Sequence, residues 1–220
     1  MRNPVLFLVY KIIMPVFLKI LVGVKFQNKE VLKKQKQYII VANHNSHLDT
    51  MAIMSSLPVG RLYKTHPVAA ADYFGKSSFK SFITKLFVNA LLIKRHRGEK
   101  DRSPIDIMTE VLKKGDSLIL FPEGSRGEPE KMQEFKKGVG VLLQRNREVF
   151  YIPVFIRGLG RVLPRGEKLL VPFDSYVFFG EPSLCKSNEV DEIVKEIELS
   201  IRDLGVKNEM KKEVKKQVTV

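Results

Sequence analysis

"QYIIVANHNSHLDTMAIM", residues 37–54, contains both the plan of the fold and its chemistry. Residues 37–43 form an apolar run too short for a helix and without the polar alternation of a half-buried strand. Such a run reads as a strand buried on both faces, the habit of a mostly parallel sheet covered by helices. The residues after it, "HLDTMAIMSSL", read as a helix. Ser46 stands at its N-cap, and Ser46-x-x-Asp49 has the form of a capping box with Asp in place of Glu.

His44, His47 and Asp49 crowd this junction. On one continuous helix, residues five apart point about 140° away from each other. With His44 in the turn and Asp49 in the first helical turn, the two side chains can meet. One reading is then purely structural, with Asp49 starting a helix and His44 filling a turn. In the other reading the carboxylate holds one imidazole nitrogen and frees the second to take a proton from a hydroxyl. The end of a sheet strand is also where α/β proteins commonly bind ligands. His44 and His47 could instead share a metal, but no third ligand accompanies them, so no metal is expected.

Outward from this stretch, strands and helices keep alternating. Strands are expected in 61–71, 90–95 ("ALLIKR"), 117–121 ("SLILF"), 148–158 ("EVFYIPVFIRG") and, antiparallel at an edge, 176–182. Helices are expected over "FKSFITKLFV", over "SPIDIMTEVLKKG" opened by Ser103 and Pro104, and over "EFKKGVGVLLQRN". An amphipathic helix follows in "VDEIVKEIELSIRDLG". The expected architecture is one α/β domain with a central, mostly parallel sheet flanked by helices, spanning 31–205. A basic, solvated tail, 206–220, ends the chain.

Residues 1–30 form an apolar N-terminal segment. The stretch 5–24 has the length of a bilayer span, about 20 residues, yet it contains Lys11, Lys19 and Pro15. Each lysine would cost about 3 kcal/mol at a bilayer centre. The segment therefore reads as two short helices dipping into one leaflet, with both lysines snorkelling to the headgroups. A true span and ordinary core packing are the alternatives. No signal-peptide cleavage site follows it.

The totals set wider bounds. The 220 residues carry 38 basic and 24 acidic side chains, a net charge of +14, which favours polyanions: nucleic acid, an anionic bilayer or phosphorylated small molecules. The single cysteine, Cys185, excludes an intrachain disulfide and a cysteine zinc cage, and fits a reducing compartment. No RNA-binding signature or regular aromatic spacing accompanies the charge.

A second stretch, "LILFPEGSRG" (118–127), follows a strand and gathers a carboxylate, glycines and an arginine. Gly124 and Gly127 let backbone N–H groups approach an anion, and Arg126 offers a fork suited to phosphate. It is neither a nucleophile elbow nor a Walker loop.

Taken together, "NHNSHLD" and "FPEGSRG" resemble the glycerophospholipid acyltransferases, the family typified by 1-acylglycerol-3-phosphate O-acyltransferases. Asn43, His44 and Asp49 match the family's first block; Phe121, Pro122, Glu123, Gly124 and Arg126 match its third. "NALLIKR" matches the intervening block through Arg95, with Asn89 where glycine is usual and Leu92 where phenylalanine is usual. "YIPVFIRG" meets a fourth block through Pro153, and "FKKG" (135–138) and "FFGEP" (178–182) also look familial. The resemblance covers about residues 37–182.

The resemblance implies an O-acyltransferase moving a fatty acyl group from acyl-CoA or acyl-carrier protein to the hydroxyl of a lysophospholipid. His44 would be the general base and Asp49 its orienting carboxylate. Glu123, Gly124 and Arg126 would line the acceptor pocket, with Arg126, Arg95 and Lys85 on its phosphate. His47, His66 and His96 would be structural or surface residues. No cofactor is implied; the donor is a co-substrate. The expected partners are anionic membrane lipids, the lysophospholipid and the acyl donor, at the cytoplasmic face of a membrane and without nucleic acid. Another lysolipid or glycerol 3-phosphate as acceptor is the first alternative. A non-enzymatic basic module binding membrane or nucleic acid is the alternative from another class.

Overall fold

The computed structural model describes residues 3–71, 89–94, 102–162 and 173–218, those from 208 on as backbone alone. The first element, α1 (Pro4–Val22), is a single helical run rather than two helices. Asn3 caps it, its Oδ1 accepting from the N–H of Val5 (3.0 Å) and Leu6 (3.4 Å). Pro15 lacks an N–H and would clash with the carbonyl four residues back. The helix accommodates it by widening to π winding on either side, over Leu8–Ile13 and Phe17–Val22.

One side of α1 buries Leu6, Tyr10, Leu18 and Val22, while Phe7, Leu8, Ile12, Ile13, Val16, Ile20 and Leu21 stay exposed. Lys11 does not snorkel outward. Its Nζ turns into the protein and donates to the carbonyls of Ser55 (3.0 Å) and Leu57, at the end of the helix that begins at His47. Lys19 alone remains on the exposed side.

Seven strands form the sheet: β1 (Lys25–Gln27), β2 (Tyr38–Ala42), β3 (Thr65–Ala70), β4 (Leu91–Ile93), β5 (Ser117–Leu120), β6 (Phe150–Arg157) and β7 (Tyr176–Phe179), in the order β1-β7-β6-β2-β5-β3-β4. The five strands from β6 to the β4 edge are mutually parallel, and β7 runs antiparallel to β6. It is not the edge, because β1 pairs with its outer side. The polar tripeptide Lys25–Gln27 carries no alternation that would mark it as a strand. Its place comes from pairing, with Phe26 set opposite Val177.

β2 lies at the centre with Ile40 opposite Ile152 on β6 and Ile119 on β5. Its residues point alternately to two cores. Ile40 and Ala42 join α1 and α2 (His47–Ser56) on one face, while Ile39 and Val41 meet α4 (Pro104–Lys113), α5 (Gly138–Arg145) and α7 (Val190–Val218) on the other. Short turns α3 (Val59–Leu62) and α6 (Leu159–Val162) and a 3-10 turn over Lys29–Lys33 complete the described helices.

α7 does not stop at Gly205, where the sequence reading ended it; it runs on to Val218, through the residues expected to form a tail. Gly205 serves contact instead: a Cβ there would lie 2.9 Å from the Phe155 ring. α5, conversely, begins only at Gly138.

Candidate active site

β2 ends at Ala42 and α2 begins at His47, leaving four residues for the turn between them. Asn43 extends the sheet with its side chain: its Nδ2 donates to the Ile156 carbonyl (2.8 Å) and its Oδ1 accepts from the Ile156 N–H (2.7 Å). A strand contact is thereby prolonged, and His44 leaves the sheet in a defined direction.

Asp49 is fully buried, and its Oδ2 accepts from the N–H of Asn45 (2.8 Å), the N–H of Ser46 (2.8 Å) and Nδ1 of His44 (3.0 Å). Ser46 completes the capping box. The helix-cap contact and the imidazole contact of Asp49 share one oxygen atom. The helix start positions the carboxylate, and the carboxylate orients the ring. With Nδ1–H donating to Asp49, the lone pair of Nε2 is left to act as a base. Asp49 Oδ1 is buried without a hydrogen-bond partner among the described residues.

The Phe121–Gly127 loop fixes the other sides of His44. Phe121 stacks on its ring at 4.0 Å between centroids. Glu123 Oε1 accepts the His44 backbone N–H at 2.8 Å, and the N–H of Gly127 donates to the His44 carbonyl at 3.1 Å. The two sequence blocks thus meet through the main chain of one residue.

Glu123 is not on the pocket wall, contrary to the expectation drawn from the sequence. It points inward, is 2% exposed, and spends its second oxygen on the N–H of Gln133 (3.2 Å). Burial pushes its carboxyl up from 4.5 to about 7, against the opposing pull of those two N–H groups. Its visible work is to hold the loop and the turn together.

Gly124 (φ +76°) closes the loop in a left-handed conformation, its N–H donating to the Phe121 carbonyl at 3.0 Å. Gly124, Ser125 and Arg126 do face the cavity, together with His44. That cavity has a volume of about 540 Å³. Its remaining walls are mostly apolar, drawn from Val68, Ala69 and Ala70 on β3, Ile93 on β4, Met108 on α4 and Leu120 on β5. A hydroxyl brought to His44 would meet a base at the edge of a volume suited to hydrocarbon.

His47 also lines the cavity, which its provisional assignment as a structural or surface residue missed. Burial, then the nearby Arg126 charge, lowers its pKa, so the ring is neutral near pH 7. Lys136 was missed as well, although "FKKG" had been noticed as a motif. Lys85 and Arg95, expected on the phosphate, and His96 lie outside the described residues. Asn89 has φ +56°, a left-handed position that Asn tolerates in glycine's place. Among the described residues, no three His, Cys, Asp or Glu side chains converge as a metal site requires.

A parallel sheet carrying a histidine–carboxylate pair at a strand end, beside an apolar cavity, defines an α/β protein equipped for proton transfer. The profile of the family described as Acyltransferase matches residues 23–157, and the chain belongs to that family. It is 27% identical over 190 residues to the putative 1-acyl-sn-glycerol-3-phosphate acyltransferase acl-1 of Caenorhabditis elegans, covering 81% of this chain and 61% of the relative. It is 27% identical over 134 residues to the chloroplastic 1-acyl-sn-glycerol-3-phosphate acyltransferase LPAT1 of Arabidopsis thaliana, covering 59% of this chain and 34% of that one. The chain thus spans between a third and two thirds of the length of these relatives. Its fold is similar to the crystal structure of the 1-acyl-sn-glycerophosphate acyltransferase PlsC from Thermotoga maritima, with a TM-score of 0.68 at 23% identity, covering 84% of this chain and 72% of that one.

Proposed function

We propose that the protein transfers a fatty acyl group from a thioester, acyl-CoA or acyl-carrier protein, to the free hydroxyl of 1-acylglycerol-3-phosphate, giving phosphatidic acid. The observation that carries this reading is His44, oriented by the buried Asp49, on the wall of the 540 Å³ apolar cavity. The names of the two relatives support the same acceptor.

In this scheme His44 Nε2 takes the proton of the acceptor hydroxyl as its oxygen attacks the thioester carbonyl. The tetrahedral oxyanion collapses and expels the thiolate, which recovers the proton from His44 and leaves as a free thiol. Asp49 stabilises the imidazolium in between. A positioned base contributes typically 10²–10⁴-fold, and the juxtaposition of the two substrates contributes the rest. The cavity takes an acyl chain, and Arg126, with Arg95 and Lys85 by resemblance, takes the acceptor phosphate. No cofactor enters the scheme.

The exposed apolar side of α1, with Phe7, Ile12, Val16 and Ile20, supports a reading in which the enzyme lies on a bilayer, where a lipid acceptor would reside. By length and composition α1 could also cross one. A net charge of +14 favours an anionic leaflet, and we assign the cytoplasmic face, where the acidic, water-borne donor is found.

The test is an acyl-transfer assay in mixed micelles with labelled acyl-CoA, then acyl-carrier protein. It offers 1-acylglycerol-3-phosphate beside other lysolipids and glycerol 3-phosphate. Preferred transfer to 1-acylglycerol-3-phosphate is expected. Preference for another acceptor would replace the substrate, and no transfer from either donor would overturn the activity.

A further inference from the structure

Lys136 takes no part in the chemistry described so far, yet it is held against the loop that carries it. Its backbone N–H donates to the Pro122 carbonyl at 3.0 Å. Its side chain crosses Gly124, so closely that a Cβ on that residue would lie 2.7 Å from Nζ and 3.2 Å from Cδ. The left-handed backbone of Gly124 favours glycine, and the Lys136 side chain lies across it. Beyond Gly124 the side chain borders the cavity, in company with His44, Ser125 and Arg126.

The neighbourhood supplies Lys136 with no counter-charge. Lys131 pairs with Glu128 and Lys137 with Asp191, whereas among the described residues no carboxylate lies within ion-pair distance of Lys136. The buried acid beside Gly124, Glu123, accepts from two backbone N–H groups. A cation that lies across the loop and ends at the cavity, with no carboxylate partner among the described residues, is available to a ligand's negative charge.

We infer that Lys136 is a further substrate-binding residue, taking a phosphate group beside His44. The phosphate comes from the phosphomonoester of the acceptor or from the phosphates of a CoA thioester. The inference deepens the acyl-transfer reading and rests on it. Lys136 is a point charge on a flexible stem, so it would follow the phosphate as the acceptor settles, while Arg126 offers a planar fork.

Lys136→Met and Lys136→Arg, both at an exposed position, test this in mixed micelles. Losing a charge-assisted contact predicts a KM for the phosphorylated substrate raised about 10-fold in the Met variant, with kcat little changed, and recovery in the Arg variant. Two donors, acyl-CoA and a phosphate-free acyl-pantetheine, are each paired with 1-acylglycerol-3-phosphate and with neutral monoacylglycerol. A penalty that persists with acyl-pantetheine and vanishes with monoacylglycerol assigns the acceptor phosphate; the reverse assigns the donor. Unchanged KM in every pairing, or an equal loss in all of them, overturns the inference.

Calorimetric titration with glycerol 3-phosphate and with CoA separates this result from the activity itself. Anion binding that depends on Lys136 in a protein without transferase activity would preserve the site and reject the reaction. Normal transfer with no effect of either variant would reject the site alone.

Discussion

Among the described residues, two histidine–aspartate pairs of nearly equal length sit in different surroundings. His44 Nδ1 stands 3.0 Å from Asp49 Oδ2, and His66 Nε2 stands 3.1 Å from Asp116 Oδ2. The side chain of Asp49 is 0% exposed and locked by two backbone N–H groups, while that of Asp116 is 26% exposed. The remaining nitrogens differ more. His44 borders the cavity with Nε2 available, whereas His66 commits Nδ1 to the Asn89 carbonyl at 3.1 Å. His66 thus ties β3 to the turn before β4, and it has no nitrogen left for a substrate. Proximity to a carboxylate does not make a base. A base needs an oriented ring, a carboxylate that cannot move and a nitrogen facing a volume where something can bind.

The sharpest way to break this contrast is His44→Ala. We expect a loss of about 10²–10⁴-fold in kcat with the fold intact by circular dichroism. Full activity in that variant would erase the distinction between the pairs. Asp49→Asn comes next, with an expected fall of about 10²-fold in kcat and about 1 kcal/mol in stability, since one side chain serves both ring and helix cap. Rates together with urea denaturation would separate the two losses; a stability change without a rate change would leave Asp49 a helix cap only.

Glu123→Gln should be milder, about 10-fold in kcat, because an amide N–H₂ would face one of the two N–H donors that the carboxylate now accepts. This variant has a pH signature. The Glu123 carboxyl is raised from 4.5 to about 7, so the native protein holds its proton more tightly than the unfolded chain does. Its stabilising contribution is complete below about pH 4.5 and disappears as pH rises through about 7. Urea titrations at pH 5, 6, 7 and 8 should show a downward slope in the wild type that is shallower in the Gln variant. Parallel slopes would reject the assignment. The smallest effect belongs to His66→Gln: kcat within about 3-fold of wild type and a stability loss of about 1 kcal/mol. A loss of activity comparable to that of His44→Ala would show the second pair to be catalytic too.

Much of this was legible in the chain, and the reason is locality. Residues 38–42 are apolar without alternation because both faces of β2 are covered, and Ser46 and Asp49 are a helix start at capping-box spacing. His44 and Asp49 could be paired from the sequence because they lie on one turn. The failures occurred where a residue's local signal was outvoted by a distant contact. Pro15 reads as a break, but π winding carries α1 past it. Gly205 reads as a helix stop, but it is the point where α7 touches Phe155. Lys11 reads as a snorkelling charge, but the carbonyls of Ser55 and Leu57 draw it inward.

By itself, then, the sequence determined the alternating α/β plan, the apolar N-terminal segment and the histidine–aspartate pair, all encoded within a few residues of one another. The tertiary structure alone decided that Glu123 supports His44 from within, that His47 and Lys136 reach the cavity, and that both ring nitrogens of His66 are engaged away from it. Those outcomes depend on contacts between distant segments, as between His44 and Glu123 at 79 residues' separation. Local spacing cannot encode them, because only the packed sheet brings their partners within hydrogen-bonding distance.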